Sequence, residues 1–302
     1  DMIIAIKNFI KKLFPFLFKR YLSFPTLSFL ISTNNKFIKN LYIDFWIFIS
    51  KRNSSFNSFF FNPLNDKFKI KQTTYNLDNQ IDNLNEDCLK SLKHNGILIL
   101  ENALPKDENE SIINIFNKIS IKHNENFRSN NSLIRYFEQH DLKNFKLLKL
   151  ISDYFTHQVY GKTLNSDAEF YIHKPLKIPE EIEHGDNNLH IDRFLPNMKI
   201  LYSPYAISTK EAPFCYAMGS HKINNLYKNF IKISKKFNES EDEAKFFLKN
   251  KKEITCKANS IIVALTSGFH GRKSFEILSD RKLIFLQYHK SYNKISLLFG
   301  NR

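Results

Sequence analysis

Two short motifs in the sequence pair a histidine with an aspartate at a spacing that suits metal binding. One consists of His184 and Asp186, and the other of His190 and Asp192. In an extended strand, residues i and i+2 point to the same side, so either pair can present an imidazole and a carboxylate to one metal ion. A second histidine from another strand would complete the two-histidine, one-carboxylate face typical of non-haem iron(II) sites. A surface histidine near a surface aspartate gives the same pattern, so spacing alone does not choose between the copies.

The chain after residue 165 has the pattern of a β domain that can position such a site. Short runs of β-branched and aromatic residues are separated by turn-forming and polar stretches. The predicted strands are 168–173, 199–207, 213–218, 260–265 and 282–288. A helical interruption at about 224–250 separates them. Helices first and short strands later predict a mainly β fold, a barrel with flanking helices on its outside.

The chain before residue 165 predicts three helices and one strand. Apolar residues at helical spacing begin at Ile81 and end before Gly96, which supplies a stop. A strand is expected at 97–101, and Pro105 opens a second helix. A third helix is expected at about 144–160, closed by Gly161. The stretch 51–75, rich in Asn, Ser and Phe, is interpreted as a connector.

The order of motifs from His190 onward resembles the phytanoyl-CoA dioxygenase family. Asp192 leads into the strand that starts at Lys199, and PFCYAMGSHK follows at 213–222. TSGFHGR at 266–272 then contains His270, and Arg281 comes eleven residues after this histidine. The four-part order is more specific than any single part. The resemblance covers residues 78–290, and it is closest from 168 onward.

The resemblance implies a double-stranded β-helix, or jelly-roll, barrel that binds iron(II) near its mouth. The implied metal ligands are His190, Asp192 and His270, so the first histidine–aspartate pair is set aside. Arg281 falls at the position of the 2-oxoglutarate anchor, and a planar guanidinium can hold a carboxylate through two hydrogen bonds. Lys199 is a second candidate for binding this co-substrate. The implied enzyme is a dioxygenase that uses iron(II), 2-oxoglutarate and O2 to hydroxylate a C–H bond.

The sequence departs from the family pattern at two places near these residues. Ala212 stands where members often have glycine, and Arg272 stands where they have a serine two residues after the third ligand. A hydroxyl for the 2-oxoglutarate tail is then either missing or supplied by Ser274. His221 is expected in a structural turn, and His184 in a loop over the site.

Basic residues are concentrated at the N-terminus. The formal net charge is +15, and residues 1–75 hold 12 Lys/Arg and 3 Asp/Glu, a net +9. We therefore divide the chain into a basic, Phe-rich extension at 1–75 and a dioxygenase domain at 76–302. Residues 1–50 are interpreted either as a helical extension packed on the domain or as an interfacial segment in weak contact with a membrane. Co-sedimentation with anionic liposomes at low salt distinguishes the two.

Three further predictions concern compartment and partners. Cys88, Cys215 and Cys256 lack metal-site spacing, so we expect buried, reduced thiols in a cytoplasmic protein, with any membrane contact at the inner face. No nucleic-acid-binding motif accompanies the positive charge, so the expected partner is a small-molecule substrate. The alternative to an enzyme is a jelly-roll protein without activity that binds a sugar, a lipid or another anionic ligand.

Overall fold

Two β-sheets form the body of the protein in the computed structural model. The strands are β1 Thr74–Asn76, β2 Ile97–Glu101, β3 Phe127–Ser129, β4 Ser132–Tyr136, β5 Glu169–Pro175, β6 Lys199–Ser203, β7 Phe214–Ala217, β8 Lys251–Ile254, β9 Ser260–Ala264, β10 His270–Arg272 and β11 Leu283–Gln287. The structure describes residues 44, 47, 51, 54–61, 74–118, 127–129, 132–136, 145–161, 169–175, 189–191, 198–223, 251–273 and 283–287.

The sheets have unequal sizes. The larger has the order β1-β2-β9-β6-β11-β5-β4-β3, and the smaller has the order β10-β7-β8. β1 and β2 pair in parallel, whereas the other described pairings are antiparallel. The helices are α1 Glu86–Asn95, α2 Lys106–Lys118 and α3 Lys146–Tyr160, with shorter helical turns at Ser54–Phe56, Asn57–Phe61 and Ile81–Asn83. A mainly β fold with flanking helices is therefore confirmed.

The central strands of the larger sheet are apolar on both faces, so two separate cores form. Ile200 and Tyr202 of β6 belong to a large cluster with residues of α1 and α3. Leu201, between them, points the other way and packs with Phe214 and Tyr216 of the smaller sheet. Because successive side chains of a strand alternate between faces, β6 contributes to both cores. The second core fills the space between the two sheets, and we call it the barrel interior.

Helix α1 is fixed at both ends by residues of the expected type. The Asn85 side chain accepts a hydrogen bond from the Cys88 N–H at 3.1 Å, which caps the first turn. Gly96 ends the helix with φ of 78°, in the left-handed region. A side chain at Gly96 would also overlap the Tyr216 hydroxyl and the His221 ring. The turn that leads into β2 therefore needs glycine for its backbone and for its surroundings.

Several element boundaries differ from the sequence prediction. The helix expected from Ile81 begins at Glu86, because Ile81–Asn83 forms a separate 3-10 turn. The interpretation of 51–75 as a connector is wrong at both ends. Helical turns lie near its start, up to Phe61, and strand β1 begins at Thr74. Strands β3, β4 and β8 were not anticipated. The strand expected at 97–101, the start of a helix at Pro105 and the helix expected at 144–160 are confirmed within one or two residues. The helix expected at 224–250 lies outside the described residues.

The helical turn at Asn57–Phe61 is built into the core of the β domain. Phe59 and Phe60 are 2% and 0% exposed and belong to the cluster that covers the larger sheet. The Lys222 ammonium donates to the Phe59 carbonyl at 2.7 Å, and the Ile223 N–H donates to the Phe60 carbonyl at 2.8 Å. This segment is therefore attached to the turn after β7. Among the described helices, none is long and apolar enough to cross a membrane.

Lys222 predicts an unusual pH dependence of stability. Burial, and then the charge of Lys93, lowers the pKa of Lys222 to about 8. Between that value and the ordinary value of about 10.4, the unfolded chain binds more protons, so stability rises with pH. Relative to the Lys222→Met variant, we expect the wild type to gain roughly 2 kcal/mol in free energy of unfolding between pH 7.5 and 10. Urea unfolding of both proteins measures this, and an equal difference at the two pH values would contradict it.

Candidate metal centre in the barrel

His190 and His270 lie side by side although 80 positions separate them. Their backbones form an isolated antiparallel bridge, with the two N–H···O hydrogen bonds both 2.8 Å long. Their ring centroids are 4.6 Å apart, and the ring planes are inclined by 49°. The structure thus brings together the two histidines that the sequence selected.

The register of the smaller sheet directs His270 into the barrel interior. His270 lies opposite Tyr216, and Arg272 lies opposite Phe214. Directly opposite residues of antiparallel strands project from the same face of the sheet. Phe214 and Tyr216 belong to the interior core, so His270 and Arg272 face it as well. The Phe214 and His270 ring centroids are 5.5 Å apart, and this contact limits the orientation of the imidazole.

The turn before β10 sets the orientation of the His270 ring. His270 Nδ1 is 2.9 Å from the Gly268 carbonyl oxygen. Since a carbonyl can only accept, Nδ1 carries the hydrogen, and in the neutral ring Nε2 then presents its lone pair. Metal-binding histidines commonly have such a backbone partner on the other nitrogen.

Neighbouring contacts hold that turn in place. The Tyr216 hydroxyl donates to the Leu265 carbonyl at 2.8 Å, and the Phe269 N–H donates to the Ser220 hydroxyl oxygen at 2.8 Å. The Ala217 N–H donates to the Phe269 carbonyl at 2.9 Å. Strand β7 and the turn after it therefore determine where His270 is placed.

The two histidines fit an iron(II) ion as neighbouring ligands. Metal–imidazole bonds of roughly 2.1 Å at right angles place the two donor nitrogens about 3 Å apart, within the reach of rings as close as these. Within the described ranges, no group of three His, Cys, Asp or Glu side chains comes together as a metal site. Asp192, the expected third ligand, lies outside those ranges, as do His184 and Asp186 of the other copy.

The two candidate residues for 2-oxoglutarate differ in what the structure describes. Lys199 is the first residue of β6 and is partly buried. By strand alternation it lies on the same face as Leu201, towards the barrel interior rather than the helices. Arg281 lies outside the described residues, two positions before Leu283, whose side chain belongs to the interior core. Binding of 2-oxoglutarate by either residue stays a prediction.

Arg272 faces the barrel interior, whereas the sequence marked it only as a residue that differs from the serine of the family pattern. It is 7% exposed, and it shares the interior face with His270 two positions earlier. The i+2 spacing from a proposed ligand was the signal that could have found it, because that spacing repeats the face of a strand.

His221 has the structural role expected of it. It lies in the turn after β7, is 0% exposed, and its Nε2 is 3.0 Å from the Lys93 carbonyl oxygen. Burial, followed by the charge of Lys222, lowers its pKa well below the ordinary value. The three cysteines are free and buried, as predicted.

Comparisons with known proteins bear on the fold. No protein-family model matches the sequence, and no curated protein sequence matches it. Among solved structures, the epimerase SnoN, in complex with Fe3+, alpha ketoglutarate and nogalamycin RO, is 10% identical, with 67% of this chain and 82% of SnoN covered and a TM-score of 0.50. HygX from Streptomyces hygroscopicus, with nickel and 2-oxoglutarate bound, is 17% identical over 67% of this chain and 86% of HygX, with a TM-score of 0.47. EctD from S. alaskensis, with bound Fe, is 13% identical over 67% of this chain and 75% of EctD, with a TM-score of 0.42.

The likeness to SnoN, together with the two facing sheets, confirms the jelly-roll barrel that the sequence predicted. At these identities the likeness defines the fold and no more. The narrower assignment to the phytanoyl-CoA dioxygenase family still depends on the motifs at 190–281.

Proposed function

We propose that the protein is an iron(II)- and 2-oxoglutarate-dependent dioxygenase of the phytanoyl-CoA dioxygenase type. Its reaction is the hydroxylation of a C–H bond in a small-molecule substrate of lipid or sugar type. The observation that carries the proposal is the pair His190 and His270, whose rings lie 4.6 Å apart at the barrel interior. Solved structures of similar fold hold iron or nickel together with 2-oxoglutarate, which supports the same cofactors here.

Asp192 completes the proposed set of ligands. It follows His190 by two residues, and an extended chain directs both side chains to one side. A carboxylate beside two imidazoles neutralises part of the charge of iron(II) and leaves three positions for other ligands. The carboxylate also favours hydroxylation, since related halogenases lack it and bind chloride in its place.

The residues around the histidines bind and orient the reactants. Iron, 2-oxoglutarate and O2 together supply the oxidising power, and the protein supplies position and a dry cavity. Phe214 and Ile262 are among the apolar residues that fill the interior and keep water away. Arg281 and Lys199 are the proposed cations for the carboxylates of 2-oxoglutarate, because a fixed positive charge in an apolar cavity binds a carboxylate strongly.

The two histidine–aspartate copies provide a matched test. We expect the Asp192→Ala variant to lose iron-dependent 2-oxoglutarate binding under anaerobic conditions and succinate release in air. The Asp186→Ala variant should retain both. The weak visible charge-transfer band of the iron complex measures the first, and succinate analysis the second.

Other outcomes of this experiment have definite meanings. Loss of binding in Asp186→Ala alone would move the site to the other copy. Wild-type protein that binds neither iron nor 2-oxoglutarate, yet is folded, would favour a jelly-roll binding protein without activity. For residues 1–50 we propose weak peripheral contact with the inner face of a membrane.

A further inference from the structure

The helical turn Asn57–Phe61 is attached to the turn after β7 by hydrogen bonds from two successive residues. The Lys222 ammonium donates to the Phe59 carbonyl at 2.7 Å, and the Ile223 N–H donates to the Phe60 carbonyl at 2.8 Å. The side chains of Phe59 and Phe60 are buried in the core that covers the larger sheet. We call the turn Asn57–Phe61 the latch, and its hydrogen bond to Lys222 is the contact that can change with pH.

Among the described residues, the titratable groups that face the Lys222 ammonium are basic. Helix α1 contributes Lys93, whose ammonium lies 5.1 Å from the centre of the Phe59 ring, and its neighbour His94. His221, the preceding residue of the turn, is 0% exposed, and its Nε2 is 3.0 Å from the Lys93 carbonyl oxygen. Three groups that can each carry a positive charge therefore lie around a fourth.

The described part of the chain places no carboxylate where it would compensate this charge. The latch consists of Asn, Ser and Phe side chains and has no titratable group. Glu86 and Asp87 are in the first turn of α1, where each forms an ion pair with Lys90. The charged neighbour that shifts the pKa of Lys222 is Lys93. The buried ammonium is therefore stabilised by a neutral carbonyl rather than by an anion.

Burial and the nearby charge of Lys93 weaken the binding of a proton by Lys222 in the closed form. They lower its pKa to about 8, with burial as the larger cause. Burial, followed by the charge of Lys222, also lowers the pKa of His94. When the latch is away, water reaches the ammonium, and its pKa returns towards the ordinary value of about 10.4. Between these two values the open form binds more protons, so a fall in pH favours opening.

We propose that the latch opens as a separate local unit and that acidification promotes its opening. Opening breaks the two hydrogen bonds to the latch and exposes its phenylalanines, whereas the strands stay paired. The turn that holds the latch also contains Ser220, whose hydroxyl accepts from the N–H of Phe269, the residue before His270. The segment that opens is therefore attached to the turn that helps to place the candidate metal ligand. The inference is independent of the proposed function, because opening involves neither metal nor substrate.

Hydrogen exchange of the Ile223 amide measures the opening directly, because the acceptor of this amide is the Phe60 carbonyl. The protection factor, corrected for the intrinsic pH dependence of exchange, is compared at pH 7 and 9. Over this range the open form holds on average about half a proton more, so the protection factor of the wild type should rise about 10-fold. Lys222→Met should show no rise. Lys90→Met, a matched change at a half-exposed position of α1, should keep it.

Three results would overturn the inference. Protection of the Ile223 amide equal to that of the β9 amides at both pH values would show that the latch opens only with the whole protein. A wild-type protection factor that does not change with pH would remove the dependence on acid. An undiminished rise in Lys222→Met would assign that dependence to another group.

A second variant keeps the test decisive if Lys222→Met does not fold, as judged by thermal unfolding. Lys93→Met then replaces it, because removal of the neighbouring charge should reduce the rise in the protection factor of Ile223. The same rise in Lys93→Met as in the wild type would contradict the inference.

Discussion

Replacing His270 with alanine is expected to abolish both iron binding and turnover. The residue faces the barrel interior, stands beside His190 and is oriented by the Gly268 carbonyl. Loss of a group that hydrogen-bonds to a metal ligand typically weakens metal binding about 10- to 100-fold. Loss of the ligand itself should therefore weaken binding by more than about 100-fold. Iron content after anaerobic dialysis and succinate release in air are the measurements.

A histidine far from the barrel interior provides the control. His157 is exposed on the last turn of α3, so His157→Ala should keep its iron and its activity. The midpoint of thermal unfolding should show that both variants are folded. If His270→Ala retained iron and succinate release at the wild-type level, His270 would not be a metal ligand.

A methyl group added at Gly268 should produce a large loss of stability. A Cβ atom built there overlaps the Tyr216 hydroxyl, lies 2.8 Å from Tyr216 Cζ and 3.0 Å from the His221 backbone nitrogen. Overpacking of a closed core costs about 1–3 kcal/mol, and here backbone as well as side chain must move. We expect Gly268→Ala to lower the free energy of unfolding by about 3 kcal/mol, measured by urea denaturation.

Removing the Tyr216 hydroxyl tests whether a clash with this group causes the loss of stability in Gly268→Ala. Tyr216→Phe alone removes the hydrogen bond to the Leu265 carbonyl, and it should cost about 1 kcal/mol. In the variant that combines Gly268→Ala with Tyr216→Phe, the hydroxyl is absent. The added methyl group should therefore lower the free energy of unfolding by less than it does in the wild-type background. Simple additivity of the two losses would contradict a direct clash. Because Gly268 also orients His270, the single variant should lose iron affinity as well.

The sequence predicted the long, apolar elements better than the short, polar ones. β6 and β9 are recognisable because their β-branched and aromatic residues suit a strand that is buried on both faces. The helix ends at Gly96 and Gly161 could also be predicted from local sequence. Both residues adopt a positive φ, which favours glycine after the last turn of a helix. β8, with the sequence KKEI, has no such signal, and only its pairing with β7 makes it a strand. Pairing between distant segments cannot be derived from local preference.

In the candidate site, too, residue types could be predicted from the sequence, whereas positions that depend on strand pairing could not. The chemistry of His190 and His270 could be inferred from residue type and motif order, and the structure places them together. Their role as metal ligands remains to be tested. The interior position of Arg272 depends on the register of β10 against β7, and the sequence alone does not define that register. The conformations of Asp192 and Arg281 stay predictions.

The two buried phenylalanines at 59 and 60 change where the folding unit begins. The Phe60 ring lies edge-on to His221 at 6.2 Å, and the Lys93 ammonium lies over the Phe59 ring at 5.1 Å. A fragment that began at residue 76 would lose Thr74 and Tyr75 of β1. It would also lack Phe59 and Phe60, so apolar core residues beside α1 would be exposed to water. A truncated form for crystallisation should therefore begin before residue 54, although the proposed metal-binding motifs lie more than a hundred residues later.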